Sequence, residues 1–366
     1  MLKKFNSSFL PSTFGLENPG VLCYLNSLTQ CLMSCTSFNE YLLANAEKYA
    51  GNEIVQAYLT IFRENLTLGK SNKSSTQNLL NALISARRKS MYSLHHGQQE
   101  DLQEGLTLLL DSIGNKVENL FNVRYSCKIK CFACKNISTP GSDNYIEPPE
   151  LMIDLSEQDP ITGKSLNSQK AIQEYIMNNA YVPKDYKCEK CGAKNVDNEK
   201  PKIVQIYNLK RLSEIIVVIF KKYTKKENRY FPEELEFPST NGPIKYRVIA
   251  QAEHYGGMGG GHYVAKGIRN KPGYDPGSQQ QELFNKLGEY ELSLNLLNMQ
   301  IKKDSVELEK IKELETQISE IKTELLKVID VNKSNLQAYL FNDGGIHIVN
   351  GFAPTVNTYI VFYHNF

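Results

Sequence analysis

Cys23 lies where a loop rich in Gly, Asn and Pro gives way to helical spacing, in the stretch GLENPGVLCYLNSLTQ at residues 15–30. A thiol at a helix N-terminus gains from the helix dipole, and a neighbouring imidazolium adds to that gain. The free thiol pKa of ~8.5 can then fall to about 3.5–7.5. Such a thiolate is a nucleophile for acyl carbon. Two imidazoles, His254 and His262, are on offer in HYGGMGGGHYVAKG (254–267), with five glycines between them. His262 opens a strand-like run and is the candidate base, although a histidine in isolation is by default a surface or core-satisfied one. The glycine density removes side chains and lets something thin and extended approach the backbone. In FNDGG (341–345), Asn342 and Asp343 stand at a strand end, and either could orient an imidazole. The order Cys, His, Asn/Asp is that of thiol acyl-transfer chemistry. The thiolate attacks, the histidine protonates the leaving amine, and the third group fixes the ring tautomer. Asn18, just ahead of Cys23, could stabilise the oxyanion with its amide, a role worth ~3 kcal/mol.

A second chemistry is metal binding. Of eight cysteines, four form two Cys-x-x-Cys pairs, Cys131 with Cys134 and Cys188 with Cys191, the latter followed by Gly192. In a reducing compartment such pairs are metal ligands more often than disulfides. Four thiolates suit one tetrahedral structural zinc ion. Four unrelated buried thiols, or a redox pair, would explain one pair more readily than two. With 53 residues between Cys134 and Cys188, a metal would clasp the ends of a long excursion.

The elements that must position these groups fall into three blocks. Residues 1–120 read as mostly helical. YLNSLTQCLMS places Leu25, Leu28 and Leu32 on one face, and residues 74–89 and 100–113 show similar periodicity. From about 121 to 272 short β-rich pieces take over, interrupted by one helical piece at 168–179. IIVVIF at 215–220 reads as a buried strand, too short to span a bilayer. The lysine-rich run at 221–229 is most simply a solvated turn, and 336–366 returns to strand. Between the β segments, 278–332 carries two heptad seams. Leu283, Leu287, Tyr290, Leu294, Leu297 and Ile301 form the first; Ile311, Leu314, Ile318, Ile321 and Leu325 form the second, after a polar break. The pattern predicts an antiparallel helical hairpin, each helix about 35 Å long, with a partner-binding or oligomerisation role left open.

Bulk properties narrow the class. The chain has 366 residues, 42 Lys plus Arg against 40 Asp plus Glu, and a net charge of +2. That balance argues against a polyanionic partner and against a zinc-ribbon nucleic-acid module. No signal peptide or membrane segment is expected, which points to the cytosol or nucleus.

The cysteine stretch resembles the cysteine box of the ubiquitin-specific protease family, and GGGHYVAK resembles its histidine box. QEDLQEGL (99–106) is similar to the family's glutamine-rich box, and LFNVRYSCKIKCFAC with YKCEKCG to its zinc-ribbon fingers. The boxes occur in the family's order and cover the chain apart from the first dozen residues and the helical insertion. The resemblance implies an α+β, papain-like fold. The thumb would span 14–120, the zinc-ribbon fingers 121–205 and the palm 206–366, with an N-terminal extension at 1–13 and the hairpin at 278–332. It implies Cys23 as nucleophile, His262 as base, Asn342 as third member with Asp343 beside it, and Asn18 at the oxyanion site. Asp101, Glu104, His254, Gly260, Gly261 and Tyr263 match positions that contact ubiquitin, and Cys131, Cys134, Cys188 and Cys191 match zinc ligands.

Three features depart from the family pattern. Pro19, Val21 and Leu22 replace the usual run before the nucleophile, and Gly105 stands where an aromatic residue is usual. His262 and Asn342 lie unusually far apart in sequence. Two functions remain: a thiol isopeptidase acting on ubiquitin conjugates, favoured by retention of every chemical group, or a ubiquitin-binding scaffold with weak or no activity.

Overall fold

The computed structural model describes residues 4–67, 75–87, 100–114, 117, 120–139, 145–146, 151–153, 169–197, 199–220, 230–240, 242–257, 260–271, scattered positions within 286–297, 305–327 and 335–366. The lysine-rich run at 221–229 lies outside them. Five helices come first: α1 Cys23–Met33, α2 Thr36–Ala44, α3 Glu53–Thr67, α4 Ser75–Arg87 and α5 Leu102–Ile113. A smaller sheet holds β1 Arg124–Cys131, β2 Ile137–Ser138, β3 Tyr145–Ile146, β5 Asn178–Tyr181 and β6 Ile203–Arg211, ordered β2-β1-β6-β5 with β3 also on β1. The larger sheet holds β4 Leu151–Ile153, β7 Ile215–Phe220, β8 Glu234–Phe237, β9 Ile244–Gly257, β10 Gly260–Asn270, β11 Leu336–Asn342, β12 Gly345–Val349 and β13 Thr358–Asn365. Its order is β12-β11-β10-β9-β13-β7-β4, with β8 on β9. A further helix, α6 (Gln169–Met177), precedes β5.

The larger sheet is covered on both faces, which explains its continuous apolar runs. On β7, Ile215, Val217 and Ile219 join the core built with α1–α5. The alternate residues Ile216, Val218 and Phe220 pack with Ile172 and Ile176 of α6. The smaller sheet has a core of only Ile129, Cys131, Cys188 and Ile203 near its cysteines.

Two segments are more deeply packed than the sequence pattern alone indicates. All eleven residues of α1 are buried, not just one face, because the helix sits between the larger sheet and the other helices. The described part of the N-terminal extension is no loose tail. Phe5 stacks on Phe366 at 4.7 Å and donates its backbone N–H to Asn365, while Phe9 and Leu10 are buried.

The excursion between β10 and β11 leaves and returns at one point: Asn270 pairs with Leu336, and Lys271 donates its backbone N–H to Asn335 at 2.7 Å. Within it, α7 (Ser305–Lys327) is continuous. Leu287, Ile318 and Ile321 are buried together, with Tyr290 and Leu294 packed against them, so members of the two seams meet. Leu283 and Ile301, and the side chain of Leu325, lie outside what is described. Among the described residues no helix is long and apolar enough to cross a membrane.

Candidate active site and cysteine cluster

The register of β10 and β11 pairs Ala265 with Phe341, so continuing it brings Asn342 level with Val264, the diagonal neighbour of His262 on the same face. The two side chains meet there: His262 Nε2 and Asn342 Oδ1 are 2.6 Å apart. An amide oxygen accepts only from a protonated nitrogen, so the contact fixes the proton on Nε2 and leaves the Nδ1 lone pair for another partner. The backbone N–H of Tyr263, the next residue, hydrogen-bonds the Cys23 thiol. Asn342, 80 positions after His262, and Cys23, from the first helix, thus converge on two neighbouring residues near the start of β10.

Asp343 sits at the β11–β12 turn with φ of 48°, a left-handed conformation that Asp tolerates. Its Oδ2 is 4.0 Å from His262 Nε2, outside hydrogen-bond range, so Asn342 makes the direct contact. Asp343 instead ties the turn to the cysteine loop. Oδ2 accepts from Asn18 Nδ2 at 3.1 Å, Oδ1 accepts from Asn26 Nδ2 at 2.8 Å, and its carbonyl accepts from Leu16 N at 3.0 Å. Asn18 Oδ1 accepts from the backbone N–H groups of Gly20 and Leu22, both at 3.0 Å, which shapes the loop leading into α1.

The thiol itself corrects one expectation. Cys23 does open α1, as the spacing predicts, but its pKa is raised, not lowered. Burial is the main cause and the nearby Asp343 carboxylate adds to it, outweighing the N–H groups of Tyr263, Tyr24 and Cys23 itself. The shift favours the thiol form, so a thiolate here would need a nearby base to take its proton.

Sequence reasoning missed the group that fixes α1 on the sheet. Arg269 of β10 is fully buried. Its Nη2 donates to Gln30 Oε1 at 2.7 Å, its Nη1 to Ser34 Oγ at 2.8 Å, and its guanidinium lies over the Phe341 ring at 4.8 Å. Burial lowers its pKa to about 10. A signal did exist: Gln30 of α1 and Ser34 at its C-cap are polar residues four apart, and so on one side of the helix.

The expected substrate-contact residues gather beside this centre. Tyr359 donates to both oxygens of Asp101, at 2.6 and 2.8 Å, while Asp101 Oδ1 also caps α5 by accepting from Gln103 N. The Tyr359 ring meets Tyr263 edge-on at 5.7 Å, and Tyr263 lies 4.5 Å from the His254 ring. Glu104 is exposed in the first turn of α5. Gly261 admits no side chain: a Cβ there would meet Tyr255 O at 2.3 Å and His254 Nε2 at 2.4 Å. Gly260, paired with Gly257, has φ of 155°. Gly105 also has a local reason, since a Cβ there already meets Leu28 Cδ2 at 3.3 Å, so an aromatic side chain would push α5 off α1.

At the other end, the thiols of Cys131, Cys134, Cys188 and Cys191 all lie within 4.8 Å of one another. Cys131–Cys191 and Cys134–Cys188 are each 3.7 Å apart. Tetrahedral coordination with metal–sulfur bonds of about 2.3 Å sets sulfur pairs about 3.8 Å apart, so the set fits such an ion. Each pair sits on a tight turn: Cys188 N–H bonds Ala193 O, Gly192 N–H bonds Cys188 O, and Gly192 has φ of 72°. Crowding divides the thiols. The N–H of Cys191 helps hold Cys188 down to about 7. Cys191, although the N–H of Ala193 pulls it down, is pushed up to about 12 with the neighbouring thiols contributing. Asn195 locks the surrounding loop with four hydrogen bonds, to Pro183, Lys202 and, twice, Ile203, each at 2.9 Å.

Comparison with known proteins gives a consistent picture. The family described as Ubiquitin carboxyl-terminal hydrolase matches residues 14–274. Ubiquitin carboxyl-terminal hydrolase 12 of Salmo salar is 24% identical over 304 residues, covering 69% of this chain and 76% of its own length. Ubiquitin carboxyl-terminal hydrolase 17-like protein A of Mus musculus is 23% identical over 279 residues, covering 68% of this chain. This chain spans only about half, 49%, of that mouse relative. Among solved structures, the SAGA DUB module of Ubp8, Sgf11, Sus1 and Sgf73 bound to monoubiquitin superposes with a TM-score of 0.60 at 15% identity, covering 100% of this chain and 71% of the other. The same module with ubiquitin aldehyde gives 0.58 at 15% identity, covering 99% and 70%. At that identity the likeness is one of fold.

Proposed function

The chain belongs to the ubiquitin carboxyl-terminal hydrolase family of cysteine-type ubiquitinyl hydrolases, and on that premise we propose that it cleaves the bond after the C-terminal glycine of ubiquitin through Cys23, His262 and Asn342. The observation that carries this reading is the 2.6 Å contact of His262 with Asn342 on strands whose next residue, Tyr263, bonds the Cys23 thiol. In this mechanism His262 Nδ1 takes the Cys23 proton. The sulfur forms a bond to the glycine carbonyl carbon, and the carbonyl electron pair moves to oxygen, where an Asn18 N–H stabilises it. Collapse expels the lysine or N-terminal amine, which takes the proton from His262 and leaves a thioester. Water, deprotonated by His262, then attacks the thioester, giving a carboxylate and restoring the thiol.

The raised pKa of Cys23 is the one observation favouring the scaffold alternative. Burial that penalises a bare thiolate penalises an adjacent thiolate–imidazolium pair far less, so the hydrolase reading stands. Cys131, Cys134, Cys188 and Cys191 would hold zinc, whose contribution is to lock the finger loops. Asp101, Glu104, His254, Gly260, Gly261 and Tyr263 would line the path of the ubiquitin tail, with Asp101 doubling as an α5 cap. No disulfide joins any of the eight cysteines, in keeping with a reducing cytosolic or nuclear setting. Residues 278–332 would be a self-folded hairpin able to bind a protein partner.

The test is incubation with ubiquitin carrying an electrophilic C-terminus. One adduct at Cys23, lost in Cys23→Ala, is expected. Labelling at Cys31 or Cys35, or none while ubiquitin still binds, would overturn the assignment, the second outcome in favour of the scaffold.

A further inference from the structure

Asn26 lies one turn into α1, on the same side as Cys23, and is only 2% exposed. Its amide nitrogen donates to Asp343 Oδ1 at 2.8 Å and approaches the carbonyls of Leu16 and Glu17 at 3.3 and 3.4 Å. Its own oxygen is buried with no hydrogen-bond partner among the described residues. A buried acceptor left unmade costs on the order of 1–3 kcal/mol. A purely space-filling or structural role would be served better by an apolar residue of similar size. What the side chain supplies is its donor, and the short bond from that donor ends on one oxygen of the carboxylate whose other oxygen holds Asn18.

Resting on the hydrolase reading, we infer that Asn26 is a positioning residue: through the Asp343 carboxylate it sets where the Asn18 amide points, and so how well the oxyanion is met. The chain of contacts is short and has no slack. Asp343 is fixed by its left-handed backbone and by the Leu16 N–H on its carbonyl, so its carboxylate orientation depends on the two amides. Without Asn26, Oδ1 faces a buried space with no donor, and the carboxylate can rotate toward His262 Nε2, already 4.0 Å from Oδ2. That rotation withdraws Asn18 and offers His262 a competing partner to Asn342. Both changes act on the transition state and neither touches the surface where ubiquitin docks.

The test is a double-mutant cycle on hydrolysis of a ubiquitin C-terminal fluorogenic amide, with Asn26→Ala, Asp343→Ala and the pair. Displacing an oriented group by about 1 Å costs on the order of a hundredfold. Asn26→Ala should therefore lower kcat about 10- to 100-fold with KM within about threefold, and the pair should be no slower than Asp343→Ala alone. Losses that multiply in the pair, or that fall on KM, would overturn the inference. Asn26→Asp, nearly isosteric, covers the case in which the alanine variant does not fold. Its carboxyl would face Asp343 at hydrogen-bond distance. Protonated, it still donates; ionised, it repels. The other titratable groups beside the Asp343 carboxylate it meets are Cys23 and His262, while Glu17 on the adjoining loop is exposed. Its kcat relative to wild type should fall as pH rises, and a ratio flat across pH would also overturn the inference. A silent wild-type chain would overturn the hydrolase reading itself, whereas an active one with multiplying losses overturns this step alone.

Discussion

The candidate catalytic centre and the cysteine ribbon are held together by opposite means. Around Cys23 the fixed points are long-range: a helix buried on every side, an eight-stranded sheet covered on both faces, and polar groups reaching across more than two hundred residues to pin one to the other. The ribbon has a core of four buried residues, two of them cysteines, and its order rests on tight turns around four crowded thiols. Removing one side chain from the first should change chemistry and leave the scaffold standing. Removing one from the second should dissolve local structure and leave the chemistry standing. Packing distributes stability over many contacts, whereas a metal clasp concentrates it in a few bonds.

The largest effect that would break this contrast is on turnover. Cys23→Ala should lower hydrolysis by more than about a thousandfold, while its melting temperature stays within a few degrees of wild type, read by steady-state kinetics and thermal unfolding. A large fall in melting temperature would mean that the centre, too, is locally held. Next comes the ribbon. Metal analysis should return one zinc per chain, and Cys188→Ser should abolish it. Ubiquitin affinity should then drop about a hundredfold, on the order of 3 kcal/mol, with kcat for a minimal substrate changed far less. Equal losses in both would place the ribbon inside the catalytic unit.

A third measurement uses acid. His364 in β13 is fully buried, its Nε2 2.9 Å from Ser37 Oγ and its Nδ1 2.8 Å from Asn365 O. Burial lowers its pKa to about 4 from 6.5. The unfolded chain therefore takes up the proton first as pH falls. Stability from this group is complete above about 6.5 and is lost progressively toward 4, by about 3 kcal/mol in all. His364→Gln should flatten that part of the stability curve in urea titrations at stepped pH, an acid response of the packed body that added zinc cannot reverse. The smallest effect is expected at the excursion. Replacing 278–332 by a short Gly/Ser linker should keep minimal-substrate hydrolysis within about tenfold, or 1.4 kcal/mol. A variant that binds ubiquitin but cannot turn it over would show that the segment positions His262 and Asn342.

Where sequence reading succeeded, the signal was local. The loop-to-helix change at Cys23, the two cysteine pairs, the His262 strand and the Asn342 strand end each announce themselves within ten residues, and the structure brings Asn342 to His262 and the four cysteines to one another. What stayed hidden depends on burial. Leu25, Leu28 and Leu32 suggest an amphipathic helix, and that pattern assigns Asn26, Thr29 and Gln30 to solvent. They are instead buried, because α1 is central: Asn26 and Gln30 find partners in Leu16, Phe14 and Arg269, while the Thr29 hydroxyl is buried with no partner among the described residues. The same burial reverses the expected direction of the Cys23 pKa, since desolvation outweighs nearby N–H groups. Glu253, 1% exposed and bound by Lys266, Thr355, Tyr255 and Gln251, was equally invisible, as its partners come from both sides of a sheet strand and a distant loop.

The closure of the excursion at Lys271 and Asn335 has a mechanical side. Anything that grips residues between these points pulls on the two strands from the same end, so load falls on the Asn270–Leu336 pair first and then on one pair at a time toward Ala265–Phe341. Six rungs stand between the grip and the catalytic contact. A ladder loaded in this way unzips at low force, unlike one sheared along its length. A partner pulling on the excursion would therefore reach His262 and Asn342 only by opening those rungs in order.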